Sequence, residues 1–134
     1  MGRADDAYRL FAMLNPINHA LTREDAEVYR VEPYVVAADI YGADDRTGRG
    51  GWTWYTGSAG WMYRTAVEAI LGITREGDML RISPSLPSDW PGFAATLRQD
   101  DKVLEISVER RADGSVATTV NGIASTAGDG RFAI

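Results

Sequence analysis

The chain has 134 residues, 45% hydrophobic and 25% charged, which is the size and balance of a single globular domain. Its 14 basic and 19 acidic residues leave a net charge of -5, the opposite of the basic face that binding to nucleic acid requires. Cysteine is absent and His19 is the single histidine, which excludes a disulfide framework, a thiolate or histidine-rich metal centre and a cysteine nucleophile.

Residues 4–14 place Ala4, Ala7, Tyr8, Phe11 and Leu14 at helical spacing. Pro16 turns Asn15 away from helical angles, so this first helix ends near Leu14. Thr22 followed by Asp25 resembles a capping box with Asp in the place of Glu, and opens a short helix through Tyr29. Pro33 then begins either another short helix to about Tyr41 or, over Tyr34–Ile40, a buried strand, since a short apolar run carries both readings. Residues 42–51, GADDRTGRGG, form a loop by composition. Beyond it, Ala59, Met62, Ala66, Ala69, Ile70 and Ile73 share one face. They predict a helix over about Ser58–Leu71, ended by Gly72 in a left-handed conformation.

After Gly72 the apolar period falls to two. Leu80-Arg-Ile82 alternates and stops at Pro84 and Pro87. Phe93–Arg98 and Val103–Glu109 form a hairpin around Gln99-Asp-Asp-Lys102. Val116–Val120 and Arg131–Ile134 are further strands, with Asp113-Gly114 and Asn121-Gly122 as turns. The expected fold class is α+β, with a helical part over 1–72 and a small antiparallel β-domain over 73–134.

Trp52, Trp54, Tyr55, Trp61 and Tyr63 fall within twelve residues. A few short helices cannot enclose so much aromatic surface, so a partner surface, a ligand groove or self-association is expected. No apolar run approaches the roughly 20 residues of a membrane-spanning helix. The opening segment MGRADDAYRL is polar, and a cytoplasmic location is expected.

The stretch from Gly48 to Trp61 is a glycine-rich loop running into a helix. The first turn of a helix has unpaired N–H groups and partial positive charge, and an anion placed there gains from both. Thr56 offers a hydroxyl, Gly57 lets the backbone approach an oxyanion, and Trp52 and Trp54 offer faces on which a pyranose ring stacks. An equally ordinary reading makes Thr56 or Ser58 an N-cap and the glycines a packing device. The segment matches neither the P-loop nor the dinucleotide-binding pattern.

Several separated motifs carry a resemblance. NPINHA (Asn15–Ala20), EPYVVAADIYG (Glu32–Gly42), RGGWTWYTGSAGWMYR (Arg49–Arg64) and EAILGITREGDMLRISPSLPSDWPGF (Glu68–Phe93) occur in the order seen at the C-terminal end of glycoside hydrolase family 94. The chain is most similar to the phosphorylase-like module of cyclic β-1,2-glucan synthases. The resemblance implies the last helices of an (α/α)6 barrel followed by a β-sandwich. It also implies inverting phosphorolysis, the transfer of a glucosyl group between a β-glucoside and inorganic phosphate. Phosphate is then co-substrate and nucleophile, with no further cofactor and no metal, and a single carboxylic acid serves as proton donor.

By the same resemblance the Thr-Gly pair that helps hold phosphate maps onto Thr56 and Gly57. Arg49 approaches phosphate or is merely exposed, and Glu32 and Tyr34 line a sugar subsite or, for Glu32, simply open a helix. The general acid and the phosphate-binding histidine and arginine of the family lie upstream of these motifs. No catalytic residue is therefore assigned here, Asp39, Asp44 and Asp45 are not promoted to general acid, and His19 is read as structural. The expectation is an inactive C-terminal fragment whose partners are a β-glucan or glucosyl phosphate and the missing upstream barrel or a second copy. The alternative is a carbohydrate-binding or self-assembling accessory module.

Overall fold

A computed structural model describes residues 3–54, 57–125 and 130–134. The chain divides into two compact units, one of Asp6–Ala66 and one of Val67–Ile134 with the segment up to Asp5. Helix α1 spans Ala4–Leu14 and is followed by a short 3-10 turn over Pro16–His19. The Asn15 side chain accepts the Ile17 amide at 3.2 Å and so caps that turn. Helix α2 runs Arg23–Tyr29 behind Thr22, whose hydroxyl accepts the Asp25 amide at 3.1 Å and donates to the Asp25 carboxylate at 2.7 Å. Thr22 is thus the N-cap that the spacing predicts, and the Asp25 carboxylate reaches back to its hydroxyl.

The helix expected from Pro33 to Tyr41 does not form, and neither does a buried strand over Tyr34–Ile40. The chain instead turns, with the Val35 amide donating to the Glu32 carbonyl at 3.0 Å, and then enters a two-residue exposed strand β1, Asp39–Ile40. Its partner β2 is Gly50–Gly51, so the loop expected over 42–51 gives its last two residues to a sheet. Val35 and Val36 are β-branched and weak in helices, and the two glycines opposite leave backbone open for pairing.

Helix α3 spans Ser58–Arg64 and continues over Thr65–Ile70 as a wider π-helical turn. The Thr65 hydroxyl donates to the Trp61 carbonyl at 2.8 Å, a local bond that competes with the regular helical ladder. Gly57 occupies the N-cap position, with no side-chain cap, and Ser58 is the first helical residue. Gly72 ends the run at φ +68, where a Cβ would overlap the Ser83 carbonyl.

In the unit of Val67–Ile134, β3 (Ile73–Glu76), β4 (Met79–Ile82) and β9 (Arg131–Ala133) form one antiparallel sheet in the order β3-β4-β9. β5 (Gly92–Gln99), β6 (Lys102–Arg110), β7 (Val116–Val120) and β8 (Ile123–Ala124) follow chain order in a second. Alternate residues of β4 and β6 point into one core: Leu80 and Ile82 meet Leu104, Ile106 and Val108, with Phe132 and Val120. The turn Asn121-Gly122 has φ 50 and φ 76, the two positive values of the tightest hairpin turn, and the Asn121 side chain accepts the Glu105 amide at 2.8 Å. Arg110 is partly buried and donates to the carbonyls of Trp90 at 3.1 Å and Pro87 at 2.9 Å, holding the Pro-rich connection against β6. Asp5 accepts the Ser88 amide at 2.7 Å, which holds its carboxyl below the ordinary value.

The fold class is α+β, with three α-helices and antiparallel sheets among the described residues. No described helix is long and apolar enough to cross a membrane.

Candidate functional site

The unit of Asp6–Ala66 buries little. Among its described residues only Pro16, Tyr29, Val35 and Gly50 are buried. Tyr29 is its pivot: the His19 ring stacks on it with centroids 4.7 Å apart, and His19 Nε2 donates to the Met13 carbonyl, 2.6 Å away. His19 therefore has a structural task, since a carbonyl only accepts and the ring nitrogen facing it must carry the proton. Gly50 lies over the same tyrosine, where a Cβ would come within 2.9 Å of the ring and 2.6 Å of Val31. The close approach of β2 to the end of α2 thus requires glycine.

Around this pivot the residues singled out by sequence fall into three places. Glu32, Tyr34 and Trp54 come together: Trp54 Nε1 donates to the Glu32 carboxylate over a long 3.4 Å, and the Tyr34 and Trp54 rings meet edge to face with centroids 6.3 Å apart. Tyr34 is 74% exposed and Trp54 73%, so this aromatic pair with its carboxylate stands open to solvent. Such a group offers a face for a pyranose ring and an acceptor for its hydroxyls.

Arg49, Glu32 and Trp52 line a cavity of about 380 Å³ between the end of α2 and the β1–β2 hairpin. Sequence reading missed Arg30 and Arg46, which share its wall. Arg30 adopts φ 53 just beyond α2, and Arg46 lies in the turn after β1. Their meeting depends on the β1–β2 pairing across ten residues, and no local spacing announces it.

Gly57 stands apart from both groups, exposed at the start of α3. A Cβ on Gly57 would find its nearest neighbour 4.0 Å away, and one on Gly60 would find nothing within 4 Å. Thr56 lies outside the described residues. Asp44 and Asp45, read from sequence as a solvated loop, are exposed, and the Asp45 carboxyl is held below its ordinary value by its bond to Arg46. Among the described residues no group of histidine, aspartate and glutamate is arranged to hold a metal ion.

Comparison with known proteins identifies the lineage. The profile of the glycosyl hydrolase 94 superfamily catalytic domain matches residues 1–72. The cyclic beta-(1,2)-glucan synthase NdvB of Rhizobium meliloti is 59% identical over 120 residues, 89% of this chain. N,N'-diacetylchitobiose phosphorylase of Vibrio proteolyticus is 34% identical over 91% of the chain, and solabiose phosphorylase of Paenibacillus borealis 30% over 90%. The chain spans only 4%, 15% and 16% of the length of these three relatives. With a family profile over more than half its length and a relative this similar, the chain belongs to the glycosyl hydrolase 94 superfamily.

Proposed function

We propose that this chain is the C-terminal piece of a glucoside phosphorylase-type protein and contributes binding residues, but no acid, to an inverting phosphorolytic site. Its helices are then the last of an (α/α)6 barrel, and its β-strands the sandwich that follows. In this reading Thr56 and Gly57 hold inorganic phosphate, and Glu32, Tyr34, Trp52 and Trp54 receive the β-glucan or glucosyl group. Arg49 adds positive charge nearby. The observation that carries the proposal is the open arrangement of Glu32 with Trp54 and Tyr34 on a unit that buries almost nothing. Half of a cleft has this character: polar and aromatic groups placed for a sugar, and no opposing wall.

The chain's own part in the reaction is positioning. Donors at Thr56 and the amide of Gly57 orient phosphate oxygens, and aromatic faces fix the plane of the sugar. Protonation of the leaving oxygen falls to a carboxylic acid elsewhere in the whole protein. Phosphate serves as co-substrate, no other cofactor is invoked, and the proposed location is the cytosol. In isolation the unit of Asp6–Ala66 covers its apolar side with a second copy of itself, in place of the rest of the barrel.

The test is a phosphorolysis assay. The isolated chain with β-1,2-glucan and phosphate is expected to release no glucosyl phosphate above a Thr56→Ala control. Grafted in place of the corresponding segment of a synthase relative, the chain is expected to support phosphorolysis, and Thr56→Ala to lower it by about 100-fold, the scale of losing one well-placed oxyanion donor. Turnover by the isolated chain, or an unaffected Thr56→Ala graft, overturns the proposal.

A further inference from the structure

The cavity between α2 and the β1–β2 hairpin holds more positive charge than the proposed site needs. Three arginines line it from separate stretches of chain: Arg30 at the end of α2, Arg46 from the turn after β1, and Arg49 just before β2. Its single carboxylate, Glu32, already accepts Trp54 Nε1. The same three arginines form one wall of a second concavity, and there the carboxylates gather: Glu27, Asp44 and Asp45. Glu32 is thus the one described carboxylate lining the first cavity, against three lining the second.

Bonds to neighbouring residues fix two of the three. Arg46 is held by the Asp45 carboxylate at 2.8 Å, with its guanidinium 5.8 Å from the Tyr41 ring centre. Arg30 donates through Nε to the Glu27 carbonyl at 3.0 Å, which leaves its terminal nitrogens for another acceptor. Arg49 has no side-chain hydrogen bond or ion pair among the described residues. Arg30 takes its left-handed φ of 53 as the C-cap of α2, its amide donating to the Ala26 carbonyl at 2.9 Å.

We propose that this cavity is a binding site for a doubly charged oxyanion, inorganic phosphate or a phosphomonoester, held by Arg30, Arg46 and Arg49. Gly57 is not among the described residues that line it. Planar guanidinium forks suit phosphate oxygens, and the existing bonds of Arg30 and Arg46 remove much of the ordering that binding otherwise demands. The volume of about 380 Å³ accommodates phosphate and, with Trp52 on the rim, a phosphorylated sugar.

The experiment is an amide chemical-shift titration of the full chain with inorganic phosphate, glucose 1-phosphate and glucose at constant ionic strength. Phosphate and glucose 1-phosphate are expected to give saturable shifts at Gly50, Gly51 and Thr53, and glucose none. Tighter binding of glucose 1-phosphate assigns the site to a phosphomonoester, and equal binding to phosphate itself. Arg49→Ala is expected to weaken binding about tenfold or more, the effect of losing one charge-assisted bond. Arg30→Gly should weaken it similarly while the fold persists, because glycine is the preferred residue in that left-handed position. Gly57→Ala should change nothing at these amides. An absence of saturable shifts, or shifts indifferent to both arginine substitutions, overturns the proposal. Shifts lost only in Gly57→Ala overturn it too, while supporting phosphate at the start of α3.

Discussion

Tyr29 carries a hydroxyl that the fold does not use. The residue is 1% exposed, and its oxygen has no hydrogen-bond partner among the described residues. Burial pushes its pKa above the ordinary tyrosine value, opposed in part by the nearby Ala37 backbone, whose approach falls short of a full hydrogen bond. The ring, by contrast, is used on both sides, by His19 and by Gly50. Tyr29→Phe keeps the ring and removes an unsatisfied polar atom, whose burial carries a penalty of about 1–3 kcal/mol. The expected outcome in chemical denaturation is unchanged stability or a gain of up to about 1 kcal/mol; a clear loss would reveal a partner for the hydroxyl. Sequence alone marked His19 as structural but not Tyr29 as its platform, because the stacking joins two helices through a turn whose path no local rule fixes. Glu32, Tyr34 and Trp54, singled out from composition and from resemblance, come together in space. Arg30 was not legible in the sequence, since nothing in its neighbours declares that an arginine will adopt a left-handed conformation.

Elements with their own stop and start signals stand where the sequence places them. Thr22 and Asp25 define the start of α2, and Asn121-Gly122 turns β7 into β8, because both are settled by side chains a few residues apart. Residues 33–41 were misread for the opposite reason: whether two residues there become a strand depends on Gly50–Gly51 lying opposite. The change from α-helical to π-helical winding at Thr65 likewise escapes periodicity, since one hydroxyl bonding back to Trp61 accompanies it. Gly72 is the element-scale case in which expectation and geometry coincide, at φ +68 and against the Ser83 backbone. Gly72→Ala adds both left-handed strain and an overlap with main chain. The expected loss exceeds about 2 kcal/mol in a denaturant melt followed by circular dichroism. A loss below about 0.5 kcal/mol would mean that the Ser83 segment gives way freely.

The two units differ in how far they satisfy themselves. Val67–Ile134 closes two sheets on a continuous core. Asp6–Ala66 leaves Leu10, Met13, Leu14, Ile17 and Leu21 more than half exposed, besides Trp52, Trp54 and Trp61. Apolar surface gathered on this scale marks an interface. The isolated chain is therefore expected to sediment and scatter as a dimer or larger, with the monomer appearing only on dilution. A clean monomer across micromolar to millimolar concentrations would show that the unit tolerates its exposed side. The net charge of -5 opposes such association weakly at physiological salt, where charges beyond about 8 Å are screened.

The placement of β9 reaches further than its three residues suggest. Phe132 pairs with Leu80 across β4 and β9, so the first sheet is finished by a stretch of chain about fifty residues downstream of its opening hairpin. In this unit the four described pairings of consecutive strands join near neighbours, whereas this closing contact carries the higher loop entropy of a distant one. During synthesis the β3–β4 ribbon must wait, its inner edge unpaired, until Arg131–Ala133 leave the ribosome. Cutting the chain anywhere before Phe132 would withdraw that ring from the core and leave β4 without its closing partner.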